Sequence, residues 1–377
     1  MDPKNGGKAV RILQVVPRMD LGGTEACVMQ MLRCVDRMKF KMDFLVHSDR
    51  RGYYDEEIRA LGANLFQCPK RLLIYGRRLK QVLSKHGPYQ VVHSHVHLFS
   101  GYVLRAAYRA GVPRRIVQAH ATFPGKEGWA RYVYLSLLRR WIKEYATLGL
   151  AVSRAAAANL FGVDWERDGR WQLFDCGIDF APFHAQVDRV AVRRELGLPD
   201  DAYVVGHVGR FSEEKNHRFL VEIIAEAAKR QQQVRLLLVG DGPLRAAVEQ
   251  QVAQAGLADL VIFAGSRTDV PRLMLGAMDV LVFPSLHEGL PLVLLESQAA
   301  GLPCICSDTL TEEVEVVKPL LRRLSLDQPA SAWARAALSI SQAAAALSPP
   351  EALSIMEQSR FRLPVERLEM IYSGLSS

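Results

Sequence analysis

Four charged residues in two pairs carry the strongest chemical signal in this chain. Arg210 and Lys215 fall together in VGRFSEEKN (208–216), and Glu288 and Glu296 lie within HEGLPLVLLE (287–296). An arginine fork and a lysine point charge suit two sides of a diphosphate. Two carboxylates spaced in this way can accept hydrogen bonds from hydroxyls, as on a sugar and a ribose. Gly289 permits a tight turn and Pro291 suits the first position of a helix that carries Glu296 about two turns inside it. The N–H groups of Gly289 and Leu290 then lie where a helix N-terminus attracts an anion. The plain alternative is two surface cations, a solvated loop glutamate and an exposed helical one. The apolar neighbours of Glu296 argue against that for this residue, because a buried carboxylate needs a partner.

Other segments give weaker signals. In GGTE (22–25), Gly22 and Gly23 allow a ligand close to the backbone, and Thr24 can cap a following helix. Neither a P-loop nor a GxGxxG fingerprint is present. His93, His95 and His97 alternate, so on a strand they would share one face. That arrangement could hold a metal, although His95 as a cleft-lining residue is the better reading and no metal site is assigned. Asp241 in GDGPLR is single, with Gly240 and Gly242 as turn residues. Six scattered cysteines show no CxxC pair, which points away from a disulfide framework and toward a reducing compartment.

The elements that must position these residues repeat along the chain. Short apolar runs such as RILQVVP (11–17), YQVVHSH (89–95), YVVGHVG (203–209) and VLVFPS (280–285) alternate with helical patterns. Runs without strict alternation, separated by helices, imply parallel strands covered on both faces. The fold class is therefore α/β, with two doubly wound Rossmann-like domains whose strand ends face a cleft. Residues 1–180 form the first domain and 181–355 the second, with a C-terminal helix over 356–377 packing back on the first. Pro349 and Pro350 stop an alanine-rich helix over 332–347. Residues 1–180 hold 29 Lys and Arg against 16 Asp and Glu, whereas the remainder holds 19 against 24. A basic first half suits an anionic surface or an ordinary solvated face. The aromatic and basic segment 126–146, with Trp129, Tyr132, Tyr134 and Trp141, admits the same two readings. No signal peptide or bilayer-length apolar run is expected, and no nucleic-acid reader motif accompanies the basic residues.

The frame EGLPLVLLE followed by AAGLP resembles the signature of retaining family 4 glycosyltransferases of the GT-B fold, particularly those of capsule and exopolysaccharide synthesis. VVPRMDLGGTE (15–25), VGRFSEEKN (208–216), LLLVGDGPLR (236–245) and VIFAGSRTDVPRLMLGAMDVLVFPS (261–285) resemble family segments in order and spacing. The resemblance implies a hexosyltransferase that moves a hexose or N-acetylhexosamine from a nucleotide-diphosphate sugar, a UDP-sugar above all, to a lipid-linked glycan with retention and without a metal or other cofactor. It implies catalytic roles for Arg210, Lys215, Glu288 and His120, the last beside the reacting sugar. Donor contacts would come from Gly22, Gly23, Gly289, Leu290, Pro291 and Glu296, with Ser266 and Arg267 beside the nucleobase, mostly through backbone atoms. Partners would be the donor and a glycan or polyprenyl-diphosphate-linked acceptor, at the cytoplasmic face of a membrane. A nucleotide-sugar epimerase of the same fold and a non-catalytic scaffold are the rival readings.

Overall fold

The computed structural model describes residues 9–20, 22–70, 72–120, 129–344, 347–362 and 364–374. The chain divides into two units, one built from residues 1–176 with 363–377 and the other from 177–362.

In the first unit, seven parallel strands form one sheet: β1 (Val10–Val16), β2 (Phe40–Val46), β3 (Leu65–Gln67), β4 (Val91–Ser94), β5 (Arg114–Ala119), β6 (Leu148–Ala151) and β7 (Trp171–Leu173). Their order is β3-β2-β1-β4-β5-β6-β7. The winding reverses between β1 and β4, the position at which such sheets hold ligands. Apolar runs on the inner strands are buried on both faces, as in Ile12 to Val16. Leu13, Val15, Leu45, Val92 and Val103 belong to one core cluster. The helix Val365–Ser373 completes this unit. Its Tyr372 is buried and its hydroxyl accepts from Gln14 Nε2 at 2.9 Å, while Arg114 donates to the Tyr372 carbonyl at 2.8 Å.

In the second unit, six parallel strands follow: β8 (Tyr203–Val208), β9 (Val234–Val239), β10 (Val261–Gly265), β11 (Val280–Phe283), β12 (Cys304–Ser307) and β13 (Leu321–Leu324). Their order is β10-β9-β8-β11-β12-β13, which reverses between β8 and β11. The helices His217–Ala228 and Ala330–Ala344 cover one face, where Ile223, Leu236, Val282 and Trp333 share a core.

Several local expectations need correction. The short strands β3, β7 and β13 lie outside the apolar runs singled out in the sequence. All three are short, β3 and β7 having three residues each, and Arg322 and Arg323 interrupt the pattern of β13. Pro349 and Pro350 open a helix, Pro349–Glu357, behind Ser348, which forms a capping box with Glu351. Proline fits that first turn because its missing N–H would have no intrahelical partner there. Thr24 does not cap: the helix runs Gly23–Cys34, and Gly22 at its N-cap makes no side-chain hydrogen bond. Cys27 and Cys176 are joined in a disulfide, contrary to the reading of scattered thiols. Their 149-residue separation hides a contact that only the fold creates. Among the described residues no helix is long and apolar enough to cross a membrane.

Candidate functional site

The strongest constellation lies at the switch point of the second sheet. β8 ends at Val208 and leads into Gly209, Arg210 and a short 3-10 turn over Glu213–Lys215. β11 ends at Phe283 and leads into Pro284, Ser285 and Glu288. Lys215 Nζ meets Glu288 Oε1 at 2.5 Å, with both side chains mostly buried. Two further bonds join these loops: Leu286 N–H donates to the Glu214 carbonyl at 2.8 Å, and Asn216 Nδ2 to the Pro284 carbonyl at 3.2 Å. Asn216 adopts a left-handed backbone at φ 54°, which lets the chain leave the turn and start the next helix. Sequence reasoning missed Asn216, although an Asn just before a helical run is a recognisable turn signal.

The glycines behind this loop hold it from below. At Gly240 (φ 139°) a Cβ would stand 2.0 Å from the Gly209 carbonyl oxygen, and at Gly242 2.5 Å from that of Phe211. Phe211 N–H donates to the Asp241 carbonyl at 3.0 Å, and Leu244 N–H returns to Phe211. Gly240 and Gly242 are turn residues, as their spacing suggests, and they set the height of the Arg210 loop.

Arg210 is exposed, and its guanidinium has no hydrogen bond or ion pair among the described residues. The helix carrying Glu296 runs Leu292–Ala299, so Pro291 is the N-cap residue and Glu296 lies little more than one turn inside. Among the described residues, the N–H groups of Gly289 and Leu290 have no acceptor. The Glu296 carboxylate likewise has no partner; it keeps some surface exposure but is crowded by protein, and desolvation pushes it up to about 7. Two free donors, a free cation and an unpartnered carboxyl on adjoining strand ends and loops form a site set up for an anionic, hydroxyl-bearing ligand.

Ser266 and Arg267 are placed differently. Ser266 is exposed after β10. Arg267 donates from Nε and Nη2 to Asp269 at 2.7 and 2.8 Å, and from Nη2 also to Glu195 at 2.8 Å. Hydrogen bonds from Arg267 hold Asp269 down at about 2 despite desolvation. The side chain of Arg267 therefore braces its loop, leaving backbone atoms to meet any ligand there.

In the first unit, Gly22 and Gly23 begin the helix after β1, and a Cβ on Gly23 would meet open space. The three alternate histidines do not share a face. β4 ends at Ser94, so the alternation stops, and His97 turns away (φ 50°) to bond Asn159 Oδ1 at 3.1 Å. His95 is buried, with Nε2 on Gln14 Oε1 and Nδ1 on His120 Nε2, both at 2.8 Å. It is an internal relay. His120, just past β5, thus has Nε2 engaged and Nδ1 4.0 Å from Cys176 Sγ. Burial holds His93 and His120 down at about 3, so both are neutral near pH 7. In the segment 126–146, residues 126–128 and the side chains of Trp129 and Tyr132 lie outside the described residues. Val133, Tyr134 and Leu137 are exposed on its helix.

Comparison with known proteins agrees with this architecture. Residues 21–181 match the family model for glycosyltransferase family 4, and residues 188–346 that for glycosyl transferases group 1. "Putative glycosyltransferase EpsF" of Bacillus subtilis (strain 168) is 39% identical over 348 residues, covering 90% of this chain and 89% of the relative. The capsular polysaccharide biosynthesis glycosyltransferase CapH of Staphylococcus aureus is 22% identical, with 81% and 83% covered. Among solved structures, Anabaena HepE in complex with UDP-glucose superimposes with a TM-score of 0.80 at 19% identity, covering 97% of this chain and all of that one. The class defined is a two-domain GT-B glycosyltransferase. The chain belongs to glycosyltransferase family 4, in the branch that includes exopolysaccharide and capsule enzymes.

Proposed function

We propose that the protein transfers a hexose or N-acetylhexosamine from a UDP-sugar to a lipid-linked glycan during polysaccharide synthesis, with retention of configuration. The observation that carries this reading is the Lys215–Glu288 pair at the β8/β11 switch point, beside the unbonded N–H groups of Gly289 and Leu290. A name in capsule synthesis and a UDP-glucose complex among the related proteins support the substrate class.

The chemistry follows from the side chains. Lys215 has three N–H donors, so it can keep Glu288 and still hold a phosphate oxygen. Arg210 supplies a second cation, and Gly289 and Leu290 supply backbone donors behind Pro291. As the bond from C1 of the sugar to phosphate opens, charge grows on the departing diphosphate, and these groups stabilise it. The acceptor oxygen forms its new bond to C1 on the same face, and its proton passes to an oxygen of the leaving phosphate. No protein nucleophile or bound metal is needed for that exchange. Glu288 orients hexose hydroxyls and Glu296 the ribose hydroxyls. Ser266 and the backbone at Arg267 flank the base. His120 acts as a shape-setting neighbour, since both its ring nitrogens point into the protein.

The first unit takes the acceptor. Exposed Val133 and Leu137, with Arg140 on the same helix, support peripheral contact with an anionic membrane at the cytoplasmic face. Sedimentation with anionic vesicles tests that contact, and the absence of salt-sensitive binding overturns it. The decisive test of function is a panel of nucleotide sugars scored by nucleotide release, repeated with a polyprenyl-diphosphate-linked sugar. Acceptor-dependent release of UDP with an α-linked product from an α-linked donor is expected. An epimerised free donor, or no turnover with any donor, overturns the reading.

A further inference from the structure

Just past the carboxyl ends of β5 and β7, and on the helix that follows β1, two cysteines and His120 form a cluster. We propose that Cys27, Cys176 and His120, once the disulfide is reduced, form a binding site for a thiophilic divalent cation such as Zn2+. Their ligand atoms lie within 4.8 Å of one another. A tetrahedral zinc site needs separations of roughly 3.5 to 4 Å between ligand atoms, which small side-chain rotations supply.

The hydrogen-bond chain fixes how His120 faces this cluster. Gln14 Nε2 donates to the Tyr372 hydroxyl at 2.9 Å and contacts Met42 Sδ, which turns its Oε1 toward His95. His95 Nε2 must then carry the proton, and its bare Nδ1 accepts from His120 Nε2–H. His120 Nδ1 is left with a lone pair aimed at the sulfurs, 4.0 Å from Cys176 Sγ. A disulfide has no proton to give that lone pair, so it lacks an electrophile. A metal-bound histidine characteristically donates its other ring N–H in this way, which orients the ring and raises its basicity. Gln118 Nε2 also points at Cys176 Sγ, at 3.6 Å, as an N–H donor to a thiolate would.

Charge balance favours the same ion. Cys27 and Cys176 are buried, and among the described residues no carboxylate belongs to the cluster. Two thiolates and a divalent cation sum to zero, so the filled site avoids an uncompensated buried charge. A dithiol reductant passes two electrons and two protons to the disulfide, leaving two Cys thiols and its own disulfide. Metal binding then releases both thiol protons as two M–S bonds form. The oxidised and metal-bound states exclude each other, and both tie the helix Gly23–Cys34 to Cys176, the last residue of the first unit before Gly177.

The test is a Co2+ titration of the full chain after reduction with a phosphine and buffer exchange, read by thiolate-to-cobalt charge transfer and tetrahedral d–d bands. One equivalent is expected to bind, to be displaced by Zn2+, and to be absent from protein oxidised with diamide. Cys27→Ser and Cys176→Ser should remove the charge-transfer band, and His120→Ala should weaken binding at least about tenfold. His120→Cys, which restores a third ligand, should recover binding with a stronger charge-transfer band. No band in reduced wild-type protein overturns the proposal, whatever the variants do. So does a band that survives both serine substitutions, since it would belong to the other cysteines. These readouts do not involve sugar transfer, so they stand or fall separately from the proposed activity.

Discussion

Lys215 Nζ and Glu288 Oε1 sit 2.5 Å apart, on loops that follow β8 and β11. Each loop leaves its strand beside the switch in winding, so neighbouring strands bring together residues far apart in sequence. Both partners keep about one-sixth of their side-chain surface exposed, enough for a ligand to reach the pair without breaking the sheet.

Removing one partner should therefore cost chemistry more than fold. Lys215→Ala and Glu288→Ala are each expected to lower turnover by at least about 100-fold, the size of loss seen when one preorganised charge-stabilising donor is removed. Their circular dichroism should stay unchanged, because both residues sit on loops beyond β8 and β11 and not within the strands or the packed core. Nucleotide release at saturating donor measures the first effect. Near-normal turnover in either variant refutes the assignment.

Most of this pair was legible from sequence, and the reason is local. Strand-end placement follows from continuous apolar runs such as VLVF (280–283), and the polar residues just beyond them then lie where ligands bind. What stayed hidden depends on contacts between distant segments. Nothing near Cys27 announces Cys176, and nothing near His120 announces the relay through His95 and Gln14 to Tyr372. Edge strands were hidden for another reason: with one side open, β13 tolerates two arginines and loses its apolar signature.

Arg267 separates a side-chain contact from a backbone one. Its Nε and Nη2 are held by Asp269 and Glu195, which fixes the guanidinium against its own loop. Arg267→Lys, which keeps the charge but loses the fork, is expected to leave the KM for donor within about threefold, since exposed pairs of this kind contribute little. A tenfold rise in KM without loss of thermal stability would show that the side chain itself meets the donor.

Two glycines should behave oppositely. Gly240 takes φ 139°, and an added Cβ would meet the Gly209 carbonyl oxygen at 2.0 Å, a backbone atom that cannot swing aside. Gly240→Ala is expected to destabilise the protein by about 2 to 4 kcal/mol and to cut turnover by shifting Arg210. At Gly23 the added methyl meets nothing within 4 Å, and the position begins a helix. Gly23→Ala should leave the melting temperature unchanged or raised. If backbone there approaches the ligand, KM rises while stability does not fall; an unchanged KM removes Gly22–Gly23 from the donor site.

Glu296 gives the site a pH signature that is independent of turnover. Desolvation raises its carboxyl to about 7 from an unfolded value near 4.5. A raised carboxyl favours the folded state while protonated, so its contribution is complete below pH 4.5 and is lost as pH climbs through 7. A shift of that size corresponds to up to about 3 kcal/mol, an upper bound because the side chain keeps some contact with water. Glu296→Gln, which keeps the shape and removes the titration, should therefore match wild type at pH 4.5 and exceed it in stability at pH 8. Chemical denaturation at the two pH values measures the difference. Donor binding should reverse the comparison: ribose hydroxyls give the ionised carboxylate the partners it lacks, so UDP should stabilise wild type more than the variant at pH 8. Equal stabilisation of both by UDP would place the ribose elsewhere, and a wild-type stability flat between pH 4.5 and 8 relative to the variant would deny the raised carboxyl.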